Sequence, residues 1–325
     1  MRSDVSARSS STIEGTRGAR SLVECDRTML DLDVDRPVVP PREAATLILV
    51  RDRLRGSVPC LEVFCVVRHA KSGFLGGAVV FPGGKVDPLD RDVAWSACAR
   101  GAVPFVLGED ESITRSYAIA ACREALEEAA ILLSLGTSLT HAEVLVLRAS
   151  LAIGPVSLRE TLAAKGLSLD LAALHPFGRW VTPVAEGRRF DTRFFLACAP
   201  AGQEGAHDAH ETTASFWASP AEVLARFDRG ELQLAPPTHR SLELLATASS
   251  ARAAIELAAR LGVEPICPKL VPIPASSDEP APATMALALP GDPEHEVSVP
   301  RVPGASRFVL RGQRWVPEEA LSRLG

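Results

Sequence analysis

The sequence predicts an α/β protein from two patterns. Segments rich in β-branched and aromatic residues come in adjacent pairs, at 41–52 with 61–70 and at 178–187 with 188–200, which is typical of neighbouring strands in a sheet. Segments with helical spacing of apolar residues lie between and after these pairs. The predicted helices are 91–100, 116–134, 157–166, the second part of 213–231, and 238–262.

The composition is that of an ordinary globular protein and argues against several functions. The 325 residues are 46% hydrophobic and 23% charged. The net charge of −5 offers no basic excess to displace counterions, so no nucleic-acid partner is expected. No run of about 18 apolar residues occurs, so we expect no membrane span. The 7 cysteines are scattered without a CxxC pair, which predicts reduced thiols in a cytoplasmic protein.

Composition also divides the chain into three segments. Residues 1–36 contain Arg and Ser but no apolar stretch, which predicts a disordered tail rather than a secretory signal. Residues 37–262 hold the predicted strands and helices and are interpreted as one domain. From residue 263 the sequence is Pro-rich and has no clear period. We expect residues 263–325 to form an extension that packs on the domain.

Three carboxylates lie inside the otherwise apolar helix predicted at 116–134. Glu124, Glu127 and Glu128 are spaced i, i+3 and i+4, so they share one helix face, while small residues occupy the other. Clustered carboxylates repel one another unless solvent or a cation lies between them. Oxygen ligands of this kind suit Mg²⁺ or Mn²⁺. A solvated acidic face would give the same pattern, so both interpretations stay open at this point.

A glycine-rich loop upstream favours the metal site. Gly83 and Gly84 allow the backbone to approach a ligand closely and to place N–H groups around an anion. The order of strand, Gly-Gly loop, acidic residue and a helix with Arg-Glu-x-x-Glu-Glu resembles the Nudix box. Here Gly84 is followed by KVDPL and Asp90, and residues 123–131, REALEEAAI, match the second half of the pattern.

The chain departs from the Nudix pattern in three places. Asp90 stands where the pattern has glutamate. Ala130 replaces a glycine, so we expect the helix to continue past it to a stop at Gly136, with Ser112 or Thr114 as its N-cap. Between Asp90 and Arg123 lie 32 residues instead of seven, an insertion of 25 that we assign to 91–115. The entropy of loop closure grows slowly with length, so this insertion is tolerable if its ends stay adjacent.

Further similarities indicate one branch of the Nudix superfamily, related to a peroxisomal coenzyme A diphosphatase. That branch has a long insertion at this place and a loop beginning FPGG. This chain also has similar segments in the same order, RRFDTRFFLA at 188–197, PPTHRSLELLA at 236–246 and LPGDPEH at 289–295. The resemblance implies a Nudix-type α/β/α sandwich with a mixed sheet, a helical insertion inside the Nudix box and a Pro-rich C-terminal extension.

The resemblance implies metal-dependent hydrolysis of the diphosphate linkage in a nucleoside-diphosphate-X compound. Coenzyme A or an acyl-coenzyme A is the expected substrate, with two phosphate-bearing products. Glu124, Glu127 and Glu128 would bind Mg²⁺ or Mn²⁺, and Arg123 and Asp90 would orient them. The residues expected in catalysis are Glu127, Glu124 and Glu211, with Asp208 as second choice for the loop acid. The residues expected to contact substrate are Gly83, Gly84, Arg68, Lys71 and Lys85.

Two other functions fit the same residues. The substrate could be ADP-ribose or an NADH-type dinucleotide, because the fold does not fix the substrate. A non-catalytic Nudix-like nucleotide-binding module is the other alternative. We expect the choice of substrate to lie in 91–115 and 264–310. His207 and His210, with Glu211, form an HxxHE cluster that is interpreted as a solvated loop. The expected partner is a small-molecule nucleotide, and the oligomeric state is left open.

Overall fold

In the computed structural model the described residues are 30–33, 35–56, 58–70, 72, 75–102, 110–153, 157–208, 211–273 and 285–320. The strands are β1 (Arg42–Arg55), β2 (Val58–Arg68), β3 (Val79–Val80), β4 (Gly83–Lys85), β5 (Ala99–Arg100), β6 (Ser134–Leu135), β7 (Ser168–Asp170), β8 (His175–Val181), β9 (Phe190–Cys198), β10 (Thr212–Ala218), β11 (Pro265–Ile266), β12 (Lys269–Pro272), β13 (Met285–Ala288), β14 (Arg307–Arg311) and β15 (Arg314–Glu318). The helices are α1 (Glu111–Ala129), α2 (His141–Ile153), α3 (Leu158–Ala164), α4 (Pro220–Asp228), α5 (Pro236–Ala246) and α6 (Ala251–Ala258). Three short 3₁₀ helices are described at Pro88–Arg91, Val93–Ala97 and Leu171–Ala173.

A mixed sheet with β1 near its centre organises the domain. Among the described strands its order is β10-β2-β1-β9-β8-β11, with β3 beside β2 and β4 beside β1. β1 runs antiparallel to β2 and β4 and parallel to β9. The two predicted strand pairs are therefore confirmed as β1 with β2 and β8 with β9.

Helices cover both faces of this sheet, which confirms the predicted α/β/α sandwich. On one face, alternate residues of β1 such as Leu47 pack against the small-residue face of α1, where Ala121 and Ala125 are fully buried. On the other face, residues such as Ile48 pack with α4, α5 and α6. Alternation along a strand sends successive side chains to opposite faces, so one strand supplies both cores. None of the described helices is both long and apolar enough to cross a bilayer.

Helix α1 begins earlier and ends earlier than the sequence indicated. Asp110 is its N-cap and accepts a hydrogen bond from Ser112 N, so the predicted caps Ser112 and Thr114 lie inside the helix. At the other end the helix stops at Ala129, because Ala130 takes the left-handed conformation with φ 50° and ψ 43°. The prediction that the helix continues past Ala130 to Gly136 is therefore wrong. The turn that other sequences make with glycine is kept here with an alanine.

The insertion in the Nudix box is compact where it is described. After Asp90 the chain makes 3₁₀ turns through Val93–Ala97 and then enters β5, which pairs with β7. Trp95 Nε1 donates to Leu89 O at 3.0 Å, and Arg115 Nη2 donates to Ala99 O at 2.5 Å. These bonds return the chain to α1 beside its starting point. The predicted helix at 91–100 is thus a 3₁₀ turn followed by a short strand.

The C-terminal segment forms a second sheet, of order β12-β13-β14-β15 in the described residues. Phe308 and Trp315 of this sheet are fully buried and share a hydrophobic cluster with Phe227 and Leu242 of the helical layer. At the other end of the chain, Leu30 is buried in the same cluster, and Asp31 N donates to Glu186 Oε2 at 2.7 Å. Contacts with the domain thus begin before residue 37, and the division into three segments stays a prediction.

The left-handed Ala130 gives a stability test. Ala129 and Ala130 are both fully buried, but only Ala130 has a positive φ. Glycine at either position removes one buried methyl group and adds freedom to the unfolded chain, whereas only Ala130→Gly also relieves the left-handed strain. We therefore expect Ala129→Gly to lower the free energy of unfolding by about 1–2 kcal/mol more than Ala130→Gly does. Urea denaturation of both variants measures the difference. Equal losses would show that Ala130 carries no strain.

Candidate active site

A cleft of about 750 Å³ lies on the sheet face that carries α4–α6. Its floor comes from alternate residues of β1 and β9, such as Thr46 and Thr192. Its walls come from the β8–β9 turn, the start of α5 and the C-terminal segment, which contributes Pro268 and Leu287. The charged side chains that line the described part of the cleft are Arg42, Arg68, Lys85, Asp87, Glu124, Arg188, Arg189 and Glu211.

The glycine pair and the acidic helix meet at one end of this cleft. Gly83 and Gly84 form part of β4, opposite Thr46 and Ala45 of β1. A Cβ added at Gly84 would lie 2.6 Å from Cδ of Glu124, so only glycine leaves room for that carboxylate. Gly83 N donates to Glu128 Oε2 at 3.0 Å. The loop and the helix, 40 positions apart between Gly84 and Glu124, are thus in direct contact.

Arg123 joins the loop to the helix. Its Nε and Nη2 donate to the two carboxylate oxygens of Asp90, both at 3.0 Å. Its Nη1 donates to Glu124 Oε1 at 2.8 Å and to Glu127 Oε2 at 3.0 Å, and Nη2 also reaches Lys85 O at 2.9 Å. Burial by itself would lower the pKa of Arg123, but the bond to Asp90 and the charges of the glutamates raise that pKa above its usual value. Arg123 is therefore a fixed cation that sets the positions of three carboxylates.

The three helix carboxylates lie in an environment that resists their ionisation. Burial raises the pKa of Glu124 to about 7, with Glu127 and Glu211 adding to the rise and Arg123 opposing it. Burial also raises the pKa of Glu128 to about 8, although the bond from Gly83 N acts in the opposite direction. The pKa of half-exposed Glu127 is raised by burial and lowered in part by Arg123. We call Glu124, Glu127 and Glu128 the acidic stripe. In the metal-free protein at neutral pH, carboxylates of the acidic stripe therefore hold protons.

Glu211 reaches the same end of the cleft from the loop before β10. Its carboxylate is 3.8 Å from Nη2 of Arg68, and its main-chain oxygen accepts from His69 N at 2.9 Å. Glu211 and Glu124 line the same cleft, and the charge of Glu211 adds slightly to the raised pKa values of Glu124 and Glu128. Asp208, the second choice, instead accepts from Thr212 N at 3.0 Å and Thr212 Oγ1 at 2.7 Å. Asp208 thus holds the loop that presents Glu211.

Other sequence predictions have mixed outcomes. Arg68 and Lys85 line the cleft, as expected of substrate contacts, whereas Lys71 lies outside the described residues. His210 also lies outside them, and His207 Nδ1 is 3.4 Å from Ser215 Oγ. None of the described residues of 91–115 lines the cleft, whereas the β8–β9 turn and Pro268 and Leu287 of the segment after residue 264 do. The assignment of substrate choice to 91–115 and 264–310 stays a prediction.

The donor chemistry at this end suits a divalent cation. Among the described residues, no three acidic, histidine or cysteine side chains converge into a ready-made metal site. Arg123 engages Oε1 of Glu124 and Oε2 of Glu127, and Gly83 N engages Oε2 of Glu128. The second oxygen of each carboxylate makes no hydrogen bond within the described part of the chain. A cation that drew these oxygens together would offset the burial, and the weaker mutual repulsion, that raise their pKa values.

Sequence reasoning missed Arg42, which lines the cleft from β1. Arg188, which the sequence indicates as a further candidate for holding substrate phosphate, lines it from the turn before β9. Trp180, Phe190 and Phe194 give it an apolar wall. Strand alternation places Phe190, Thr192 and Phe194 on one face, but no local pattern shows which face bears the cleft. That information lies in the pairing of β1 with β9.

Comparison with known proteins decides the family. The family model described as the NUDT19 Nudix domain matches residues 107–245. Acyl-coenzyme A diphosphatase NUDT19 of Gallus gallus is 30% identical over 260 residues, which cover 64% of this chain and 69% of that protein. The chain belongs to the NUDT19 family of Nudix hydrolases.

Further relatives support membership in the NUDT19 family. Acyl-coenzyme A diphosphatase NUDT19 of Homo sapiens is 29% identical over 224 residues, 56% of this chain and 60% of the human protein. The crystal structure of a Nudix hydrolase from Alicyclobacillus acidocaldarius shares 33% identity with a TM-score of 0.57, covering 68% of this chain and 97% of that one. The resemblance stated from the sequence is confirmed. Nudix hydrolases generally need a divalent metal ion.

The raised pKa values predict how metal binding by this NUDT19-family hydrolase depends on pH. Glu124 and Glu128 have folded pKa values of about 7 and 8, above the usual 4.5, so their contribution to stability is full below about pH 4.5 and is lost as pH rises through 7 to 8. A cation binds the deprotonated forms. We therefore expect affinity for Mn²⁺ to rise between pH 6 and about 8.5, with release of protons.

Calorimetry in two buffers of different ionisation enthalpy measures those protons. Glu128→Gln should release fewer protons and lose the part of the pH dependence near pH 8, while Glu256→Gln, on the exposed surface of α6, should match the parent. Affinity that is constant across this range would contradict the assignment of the metal to the acidic stripe.

Gly84 offers a steric test of the same contact. An alanine Cβ would overlap the Glu124 carboxylate, so we expect Gly84→Ala to displace that side chain and weaken Mn²⁺ binding about tenfold or more, with stability reduced by about 1–3 kcal/mol. Gly178→Ala is the matched control, because the nearest atom to its added Cβ is 3.9 Å away. Calorimetric titration and thermal unfolding report both effects. Unchanged metal affinity in Gly84→Ala would show that this contact does not form the site.

Proposed function

We propose that this NUDT19-family chain hydrolyses the diphosphate linkage of coenzyme A or an acyl-coenzyme A, with Mg²⁺ or Mn²⁺, to give two phosphate-bearing products. The contact of Glu124 with Gly84 at the end of the cleft carries the proposal, because it puts carboxylates for a cation beside a backbone that can approach a diphosphate. The relatives named acyl-coenzyme A diphosphatase support this substrate class.

In this proposal the helix supplies the metal ligands. Glu124, Glu127 and Glu128 would hold the ion, which would supply Lewis acidity toward the diphosphate oxygens. Arg123 would keep Glu124 and Glu127 in place through the bonds of 2.8 and 3.0 Å. Asp90 would hold Arg123 through its two bonds of 3.0 Å. These interactions exist before substrate arrives, so little reorganisation is required during the reaction.

Residues around the metal ligands supply the groups for phosphate and for proton transfer. Arg68 would contact the diphosphate oxygens beside the backbone of Gly83 and Gly84, which lines the same part of the cleft, and Lys85 would contact a substrate phosphate farther along β4. Glu211 would take a proton from the attacking water, since its side chain is 65% exposed and its charge acts on the acidic stripe.

The rest of the cleft suits the uncharged part of an acyl-coenzyme A. Trp180, Phe190 and Phe194 line it from the sheet, and Pro268 and Leu287 line it from the C-terminal segment. A pantetheine arm with an acyl chain is mostly apolar and gains free energy when such side chains cover it. The terminal segment would thus belong to the substrate site.

The central test combines a substrate panel with one variant. Purified protein with Mg²⁺ or Mn²⁺ should cleave coenzyme A or acyl-coenzyme A faster than ADP-ribose or NADH. Glu127→Gln should reduce kcat by about 100-fold or more, because it removes a charged ligand, and should keep the fold, since the side chain is 49% exposed. Chromatography of phosphorylated products measures both. Glu256→Gln on α6 is the matched control and should retain activity.

Each outcome of this panel separates the alternatives. Preferential cleavage of ADP-ribose or NADH would show that one of these compounds, and not coenzyme A, is the preferred substrate. Metal binding without any product would indicate a nucleotide-binding module. An unchanged rate in Glu127→Gln would show that Glu127 is not a metal ligand.

A cytoplasmic location stays a prediction from the cysteines. The six described ones form no disulfide: Cys60, Cys65, Cys98, Cys122, Cys198 and Cys267.

A further inference from the structure

Three cationic residues of the cleft have side chains without a partner among the described residues. The side chains of Arg42, Lys85 and Arg188 make neither hydrogen bonds nor ion pairs there, and all three line the cleft. Arg42 and Arg188 are exposed, as is Lys85. Unpaired cations of one sign in a concave site raise the local concentration of anions.

The other cleft cations are engaged by the protein. Arg68 lies 3.8 Å from the carboxylate of Glu211. Arg189 is buried, with Nε donating to Thr182 O at 3.1 Å and Nη1 to Val39 O at 2.7 Å. Of the acids in the cleft wall, Asp87 lies 3.8 Å from Arg123 and makes no ion pair with the three cations among the described residues. The charge of Arg42, Lys85 and Arg188 is therefore available to a ligand.

Sheet register places Lys85 and Arg42 on one face, and Arg188 lines the same cleft from the turn before β9. Lys85 is directly opposite Ala44, and Arg42 is directly opposite Phe190. Ala44 and Phe190 both line the cleft, so Lys85 and Arg42 point the same way. Arg42 is two residues, about 7 Å, along β1 from Ala44. Long side chains at that spacing can converge on one tetrahedral anion.

Along the strand direction, Arg42 and Lys85 lie farther from the start of β4 than the contact between Gly84 and the acidic stripe does. Lys85 follows Gly84, which contacts Glu124, while Arg42 is paired near the start of β9. A phosphate held by Arg42, Lys85 and Arg188 would thus lie up to about 10 Å along the sheet from the diphosphate end. Two phosphates of one nucleotide can span such a distance when one is on the 5′ side of the ribose and the other is on the ribose itself.

The geometry points to a second phosphate subsite, formed by Arg42, Lys85 and Arg188, that binds the 3′-phosphate on the ribose of the substrate. This inference rests on the proposed function and deepens it, because coenzyme A carries that phosphate whereas ADP-ribose and NADH do not. A phosphate monoester has a charge near −2 at neutral pH and accepts forked hydrogen bonds from arginine. The subsite would select among diphosphate substrates by one remote group.

The decisive experiment compares substrates that differ only by this phosphate. The parent protein should have a higher kcat/KM for coenzyme A than for 3′-dephospho-coenzyme A, by about ten- to a hundredfold. Arg42→Ala and Arg188→Ala should each lower that ratio about tenfold, mainly through KM for coenzyme A. Arg252→Ala is the matched control, since Arg252 lies on α6 and pairs with Glu256. An equal kcat/KM for both substrates in the parent would overturn the subsite.

A binding measurement keeps the inference testable if no hydrolysis is found. Adenosine 3′,5′-bisphosphate should bind more tightly than AMP in calorimetry, and Arg42→Ala should remove the difference. The 2′,5′ isomer separates a 3′-phosphate site from one that takes any ribose phosphate: tighter binding of the 3′,5′ compound supports the inference, and equal binding of both isomers overturns its 3′ assignment. Equal binding of the bisphosphate and AMP overturns it entirely, whatever the catalytic result.

Discussion

The site depends on the buried guanidinium of Arg123. It binds both oxygens of Asp90 before the insertion and two carboxylates after it, so it closes the interrupted Nudix box. Lengthening the connection from seven to 32 residues is a little over two doublings and costs about 1.3 kcal/mol of closure entropy. Breaking a buried charge pair by removing one partner costs about 3–5 kcal/mol. The closure cost is thus small, and separating Asp90 from Arg123 would leave buried charges unpaired, so the network fixes the two halves of the box next to each other.

The acidic stripe is costly to ionise in the metal-free fold, although Arg123 offsets part of that cost at Glu124 and Glu127. Burial raises the pKa values of Glu124 and Glu128 to about 7 and 8, so ionising these two side chains costs more free energy than it would in water. Apolar residues at these two positions would avoid that penalty. Keeping carboxylates where burial opposes their charge makes sense if a cation or an ionised reaction partner uses them. A stripe selected for stability alone would have faced solvent.

The sequence allowed the acidic face, the glycine loop and Arg123 to be predicted, because i, i+3 and i+4 spacing and the Gly-Gly pair are local patterns. It did not reveal that Ala130 turns left-handed, since the residue type there favours helix and only tertiary packing overrides it. The strands β12–β15 were not predicted, because a Pro-rich segment has no clear alternation. Arg42 was not predicted as a site residue, because separate elements bring it to the cleft. Long-range pairing of β1 with β9 decides that proximity.

The glycine pair also lets the carboxylates of α1 reach the cleft on the opposite face of the sheet. Helix α1 lies on one face of the sheet and the cleft on the other, so a sheet with ordinary side chains would separate the carboxylates from the substrate. Gly84 is opposite Ala45, which faces α1, and its missing side chain gives Glu124 room to reach the cleft wall. Gly83 is opposite Thr46 on the cleft face, and its N–H binds Glu128 from the helix side. A side chain at 84 would displace the Glu124 carboxylate from this opening, so the glycines of β4 let the acidic helix and the cleft share one site.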